Sequence, residues 1–429
     1  MGFFYFFAAL LLLQALISLR GGARYLRYFR RELSAPLPAY TPYASVVVPC
    51  RGLDQNLHDN LDALCVQHYP AFEIIFVVDR ADDPALEVIE RVRSERGSAA
   101  SVSTRVVISG RAKECGQKVH NLIVGVGAAD ERSEVFVFVD TDARPRREWL
   151  RSLVAALADE EIGATTGYRW FIPSNKPASR HKLASHDKLA SHLRAVWNAS
   201  IASALGENSR TNFCWGGSTA IRRETFAQLD MTTRWRGTLS DDFALTRTLQ
   251  NAHRAIHFVP RCLTASHEDC TWRELFEFTT RQLKITRVYA PRLWRIVLVS
   301  NLLFVSIFYG GLALSLARLG RGLPFALPLA FVAAIFVLGS SKALLRLRAV
   351  AHAFEGEHRI LRAATICAHL FLWPLASALF LYNAFAAACS RRINWRGINY
   401  ELKSPTETVI IEAARFEDAL TDEETARRA

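Results

Sequence analysis

Four apolar blocks divide the chain: Met1–Leu19, Ile296–Ala317, Leu323–Ser341 and Ala363–Cys389. Each has about the 20 residues that a bilayer crossing requires. The pattern predicts an N-terminal anchor over 1–20 and a membrane cluster of about three spans over 291–390. Pro374 lies inside the last block and predicts a bent or re-entrant segment there. Residues 40–290 are polar enough, and long enough, for one large soluble domain, and 391–429 reads as a polar tail. Within the domain, Ala44–Pro49, Phe72–Val78, Arg105–Ile108 and Val135–Val139 are short Val/Ile/Phe-rich runs that read as buried strands. Asn56–His68, Ala85–Val92 and Lys118–Val126 carry helical spacing between them. Strands alternating with helices imply βαβ units and a parallel sheet, an α/β fold. Ligands of such sheets sit beyond the carboxyl ends of the strands. Pro49–Leu53, Asp79–Asp83 and Asp140–Asp142 all fall at those ends.

Charge orients the chain. Arg20, Arg24, Arg27, Arg30 and Arg31 follow the first apolar block, whereas a signal peptide carries its charge before it. An uncleaved anchor with the N-terminus outside and the large domain in the cytoplasm satisfies the positive-inside tendency. A multi-pass integral protein of the inner or plasma membrane is therefore expected. The net charge is +12. Many arginines border the apolar blocks, where anionic headgroups would meet them, so no nucleic-acid partner is expected. The eight cysteines form no CxxC pair and no metal-like spacing with histidine, as expected of reduced thiols in a cytosolic domain. The late blocks contain few polar groups, Asn301, His369 and Asn383, and an ion pathway would show intramembrane charge. A tandem duplication, KLASHD then KLASHL, runs from Lys182 to Leu193. His181, His186 and His192 do not share one helical face at that spacing, so the repeat reads as a surface helix without a function.

The stretch VFVFVDTDARP places two carboxylates, Asp140 and Asp142, at the end of a buried strand. Two such charges about 5 Å apart repel by roughly 3 kcal/mol at an effective dielectric of about 20. Capping and turn aspartates are common at such places. Here, however, Asp79 with Asp82 and Asp83 ends another strand, and Asp241 with Asp242 opens a helical stretch, Phe243–Leu249. Three acidic clusters suggest a site for a divalent cation and a charged ligand. Mg²⁺ or Mn²⁺ commonly binds through one or two carboxylates plus substrate phosphates.

Taken in order, VPCRGLDQNL, VVDRADDPAL, Lys118-Val-His-Asn-Leu122, DTDAR, WGGSTAIRRETF and SDDFAL resemble the inverting family 2-type glycosyltransferases. Within them the likeness is to the ceramide glucosyltransferase-like branch, and it covers roughly residues 40–290. WRGINYEL, Trp395–Leu402, resembles the tails of bacterial membrane glycosyltransferases. The resemblance implies a GT-A nucleotide-diphospho-sugar domain with membrane helices at both ends. It places Pro49, Arg51, Asp79, Asp82, Asp83, Lys118 and Asn121 near the nucleotide-sugar, and Asp140 and Asp142 on the metal and diphosphate. Asp242 matches the general base, with Asp241 as the alternative base or a helix cap. Gly216 and Gly217 would let the backbone approach the sugar. The family's (Q/R)xxRW element is degraded here to Arg281-Gln-Leu-Lys284-Ile, with Arg287 nearby. Arg281 and Lys284 are diphosphate-side candidates, set against an interfacial amphipathic helix over Trp272–Arg295. The implied reaction moves a hexose, glucose first among candidates, from a UDP-sugar to a lipid hydroxyl such as ceramide or diacylglycerol. A processive polysaccharide synthase and a non-catalytic membrane scaffold are the alternatives.

Overall fold

A computed structural model describes residues 2–96, 102–173, 185–354, 356 and 360–411. The chain opens with α1 (Gly2–Ser34) and enters the sheet at β1 (Ala44–Pro49). Then come α2 (Leu57–Cys65), β2 (Phe72–Val78), α3 (Ala85–Arg96) and β3 (Val102–Ile108). The next elements are α4 (Gln117–Gly127), β4 (Val135–Phe138), α5 (Trp149–Ala155), β5 (Ile162–Phe171) and α6 (Ser185–Ala202). They are followed by β6 (Thr219–Arg222), α7 (Arg223–Gln228), α8 (Met231–Trp235), α9 (Asp241–Asn251) and β7 (Ala255–Ser266). Five helices complete the helical part: α10 (Trp272–Tyr289), α11 (Pro291–Gly320), α12 (Ala326–Ala353), α13 (Ala363–Phe371) and α14 (Trp373–Cys389). A hairpin and one more strand close the described chain: β8 (Arg392–Trp395), β9 (Ile398–Ser404) and β10 (Glu407–Ile411).

The large sheet runs β3-β2-β1-β4-β6-β5-β7. β1 to β4 are parallel, β6 is antiparallel to both of its neighbours, and β5 and β7 are parallel again. The four parallel strands and the helices between them are those the apolar runs predict, with boundaries moved by a few residues. β1 pairs with β2 on one side and β4 on the other, so the connections diverge at its carboxyl end. A crevice opens at such a switch point, and the loops after β1 and β4 face it. Apolar side chains pack on both faces of the sheet, against α2, α3 and α5 on one and α4, α8 and α9 on the other.

α1, α11 and α12, of 33, 30 and 28 residues, are long and apolar enough to cross a membrane. α13 and α14 form a pair bent by 56°, the break that Pro374 predicts. α1 runs well past the expected anchor: Tyr25, Tyr28 and Phe29 are buried in the domain core, and Tyr28 donates its hydroxyl proton to the Phe258 carbonyl. Two expectations change. In the KLASH repeat Lys188 and Leu189 are exposed as a surface helix would have them, but Ala190, Ser191 and Leu193 are buried, because α6 lies between β5 and the late helices α10, α13 and α14. His181 and the first repeat's Lys182 to Ala184 lie outside the described residues. The expected polar tail instead folds, as far as Ile411, into a three-stranded antiparallel sheet.

Candidate active site

One large cavity, about 1600 Å³, opens at the crevice. The loop after β4 brings in Asp140 and Asp142, and the first turn of α4 brings in Lys118. Lys118 Nζ lies 2.7 Å from Asp140 Oδ1 and 3.1 Å from Asp241 Oδ1. Arg169, on β5, reaches Asp142 at 2.9 Å and Asp140 at 3.6 Å. The repulsion between the strand-end carboxylates is thus answered within the chain by two cations, whatever else the site holds. Burial raises the Asp140 carboxyl, but Lys118 and Arg169 outweigh it and hold the group below the usual range. Burial wins at Asp142, which stays raised despite Arg169. At Asp241 burial also wins over Lys118 and pushes the carboxyl up to about 6.

The two acidic residues of α9 are not equivalent. Asp241 is buried and bound to Lys118, whereas Asp242 is half-buried and lines the cavity. Neither is the helix cap: Ser240 holds that position and accepts from the Phe243 N–H. Asp242 Oδ1 accepts from the Phe243 N–H at 2.7 Å and from the Ser240 hydroxyl, which fixes its orientation. Gly216 makes the Lys118–Asp241 contact sterically feasible. A Cβ there would stand 2.2 Å from Asp241 Oδ2 and 2.7 Å from Lys118 Nζ. At Gly217 it would strike the Trp215 ring.

The residues expected around the nucleotide separate into two groups. Pro49, Arg51, Lys118, Asn121 and Arg281 line the cavity. Asp79 is buried behind Arg51, to which it is ion-paired, and burial holds its carboxyl up. Asp83 accepts from the Gly52 and Ala85 N–H groups, both at 2.9 Å, so it latches the β1 loop to the start of α3. Asp82 is exposed beside Arg80, and Asn121 ties α4 to the Val77 carbonyl. Asp79, Asp82 and Asp83 do not line the cavity, whereas Asn121 lines it while holding α4 in place. Arg281 lies over the Trp395 ring at 5.4 Å, and burial lowers its guanidinium to about 10. Lys284 points elsewhere and donates to the Arg392 carbonyl at 2.7 Å. It follows Arg281 by three residues, yet the β8 strand, and not the cavity, captures it.

Several lining residues were not among the candidates that the sequence singled out. Glu268, after β7, pairs with Arg194 of α6 at 3.5 Å, and burial pushes its carboxyl up to about 7. Arg396 stands at the tip of the β8–β9 hairpin, where Arg396 and Gly397 both have positive φ, the two-residue turn that favours glycine. Its guanidinium grips both oxygens of Asp54 at 2.7 and 2.9 Å and also bonds the Arg51 carbonyl. The tail thereby fastens the β1 loop from outside the sheet. Asp54 belongs to the VPCRGLDQNL motif, and Arg396 to WRGINYEL, so motif membership was the available clue for both.

Two strand-end carboxylates with basic partners, and a third carboxylate across a sheet crevice, are the arrangement expected of a GT-A glycosyltransferase domain. The family model for glycosyl transferase family 21 matches residues 5–408, and the chain belongs to that family. Over 88 residues it is 31% identical to ceramide glucosyltransferase 1 of Caenorhabditis elegans, a match covering 20% of this chain and 18% of that protein. Among solved structures it is similar to the mannosyltransferase PcManGT from Pyrobaculum calidifontis in complex with GDP-Man and Mn²⁺, at 18% identity and a TM-score of 0.45. That similarity covers 89% of this chain and 98% of the other. The glucosyl-3-phosphoglycerate synthase from Mycobacterium tuberculosis, in complex with Mn²⁺, UDP-Glc and glycerol 3-phosphate, is 16% identical. It covers 54% of this chain and 72% of its own, with a TM-score of 0.32.

Proposed function

We propose that the protein is an inverting, UDP-sugar-dependent hexosyltransferase that glycosylates a lipid hydroxyl, such as that of ceramide or diacylglycerol, with glucose as the first candidate hexose. One observation carries this reading: the cavity that holds Asp140, Asp142 and Asp242 is also walled by Leu293 and Val297 of α11 and Phe380 of α14. Its lining continues to Asn301, about 12 Å along α11 from Leu293 at 1.5 Å per residue. A water-soluble acceptor has no need of an apolar wall along a spanning helix. A lipid whose hydroxyl must reach Asp242 while its chains stay among apolar side chains does. In this reading α1, α11 and α12 are membrane spans of an inner or plasma membrane, with the catalytic domain on the cytoplasmic side.

The roles follow from the contacts. Asp242, held by two hydrogen bonds and facing the cavity, takes the proton of the attacking hydroxyl. Asp241 is committed to Lys118 and positions it beside Asp140. Arg281 and Arg396 add positive charge on the side of the site nearest the β1 loop. Among the described residues no three His, Cys, Asp or Glu side chains form a metal cage. Two hard oxygen donors facing a cavity nonetheless fit Mg²⁺ or Mn²⁺, which takes its remaining ligands from phosphates and water. Asp140 and Asp142 would hold the ion, whose chemistry is to neutralise the leaving diphosphate.

Membranes containing the protein, incubated with Mg²⁺ or Mn²⁺ and labelled UDP-glucose, UDP-galactose or UDP-N-acetylglucosamine, test the reading. Label is expected in the organic-solvent phase, and EDTA is expected to abolish it. Label confined to insoluble polymer would instead establish a polysaccharide synthase.

A further inference from the structure

α12 carries two cations that the transfer site does not use. Lys342 and Arg346 lie four residues apart, on one face of the helix. Both line a second cavity, about 240 Å³, between α1, α11, α12 and α14. The described lining of that cavity holds no carboxylate. Lys342 Nζ donates to Ser18 Oγ at 2.8 Å. Arg346 is only 5% exposed. Its Nη1 reaches Ser203 Oγ at 3.4 Å and its Nη2 reaches His369 Nδ1 at 3.3 Å, but its Nε has no hydrogen-bond partner. His369 is stacked on Trp170, with centroids 5.6 Å apart and rings 6° from parallel. It offers the guanidinium a ring nitrogen and no negative charge. A buried cation without a counter-charge is strongly unfavourable, and this hollow holds one, Arg346, beside the half-buried Lys342.

The depth of the cavity narrows the ligand. Beyond Ser18, α1 buries Tyr25 and Phe29 in the domain core, and beyond Arg346, α12 buries Leu347 and Val350 there. The cavity therefore lies where apolar spans give way to the soluble domain. With those helices in a bilayer, this is the level of the lipid headgroups. Room for the Lys342 side chain comes from Gly22, where a Cβ would stand 3.2 Å from Lys342 Cγ. The hollow also shares Ser200, Asn301 and Ser377 with the large cavity.

We propose that this cavity binds a phosphate-type oxyanion, supplied as the headgroup of an anionic membrane lipid. A phosphodiester offers one acceptor oxygen to Lys342 Nζ and another to Arg346 Nε, as charge-assisted hydrogen bonds, and cancels the buried charge. A lipid held there borders the acceptor cavity and completes its wall. The proposal rests on the membrane reading of α1, α11 and α12, and not on the identity of donor or acceptor.

The full chain, purified in a neutral detergent without sugar donor, is given phosphatidylglycerol, phosphatidylcholine or inorganic phosphate in separate arms. Native mass spectrometry reads retained lipid, and thermal unfolding reads stability. Phosphatidylglycerol is expected to be retained and to raise the unfolding midpoint. Lys342→Gln is expected to weaken that retention about tenfold, the loss of one charged hydrogen bond, and Lys342→Arg to restore it. Gly22→Val crowds the stem of Lys342 without removing either charge; it serves as the second variant and is expected to lose retention too. Stabilisation by inorganic phosphate with no lipid adduct, lost in Lys342→Gln, would support the anion site and name a free anion as its source. Equal retention of both lipids, or unchanged phosphatidylglycerol retention in folded Lys342→Gln, overturns the proposal. Carbonate washing of membranes tests the membrane reading separately, so the two failures are distinguishable.

Discussion

At the scale of single residues, the site separates carboxylates by what they touch. Asp242 faces the cavity, and Asp241, its neighbour, is spent on Lys118. Asp242→Asn keeps the shape and the Phe243 contact but removes the proton acceptor. Turnover is expected to fall by about 10²–10⁴-fold with UDP-sugar affinity retained. Kinetics beside a donor titration check it, and unchanged turnover would exclude Asp242 as the base. Glu268 tests the electrostatics by another route. Its folded-state pKa, about 7, exceeds the ordinary value of 4.5. The protonated form is therefore the one the fold favours, and stability from this group is present at low pH and lost as pH rises toward 7. Glu268→Gln is expected to match the wild-type unfolding midpoint near pH 4 and to exceed it near pH 8. A wild-type advantage at pH 8 would mean that the pair with Arg194 outweighs the cost of burial.

The β8–β9 hairpin shows what one small element contributes. Ile393, Tyr400 and Leu402 pack against Leu239, Ile285 and Tyr289, and the Tyr400 hydroxyl accepts from the Gln117 N–H at 3.2 Å. That docking carries Arg396 to the β1 loop. Arg396→Ala removes the clamp on Asp54 without touching the sheet, and is expected to weaken donor binding roughly tenfold. Isothermal titration with the UDP-sugar is the check, and equal affinity would leave the hairpin a purely structural role.

At the scale of the whole molecule, the sheet domain and the late helices share one cavity. The polar half would meet the donor and the apolar half the acceptor, so the two should be separable by mutation. Val297→Trp narrows the α11 wall and leaves Asp140 and Asp142 unaltered. It is expected to raise KM for the lipid acceptor several-fold while KM for the sugar donor stays as it was. Steady-state kinetics in mixed micelles measures both, and a parallel rise would mean that the wall does not belong to the acceptor route.

The sequence by itself determined the strands, the helices between them, the long apolar helices and the acidic clusters at strand ends. All of these follow from local periodicity and composition, which need no knowledge of distant contacts. The bent last pair was readable from Pro374 for the same reason. Only the tertiary structure decided which carboxylates meet. Asp140 and Asp241 stand about a hundred positions apart in the chain, and it is Lys118 that joins them. Arg169 and Glu268 sit in a strand and a loop with no motif that predicts cation or acid at the cavity, and the motif around Arg396 does not say which loop it reaches. Lys284 shows the converse, since the likeness to the (Q/R)xxRW element put it with Arg281 at the diphosphate and the neighbouring strand took its ammonium instead. Periodicity states which face of an element is apolar. Where a charged side chain comes to rest depends on which partner, from any part of the chain, the fold brings within its reach, a carboxylate for Lys118 and a backbone carbonyl for Lys284.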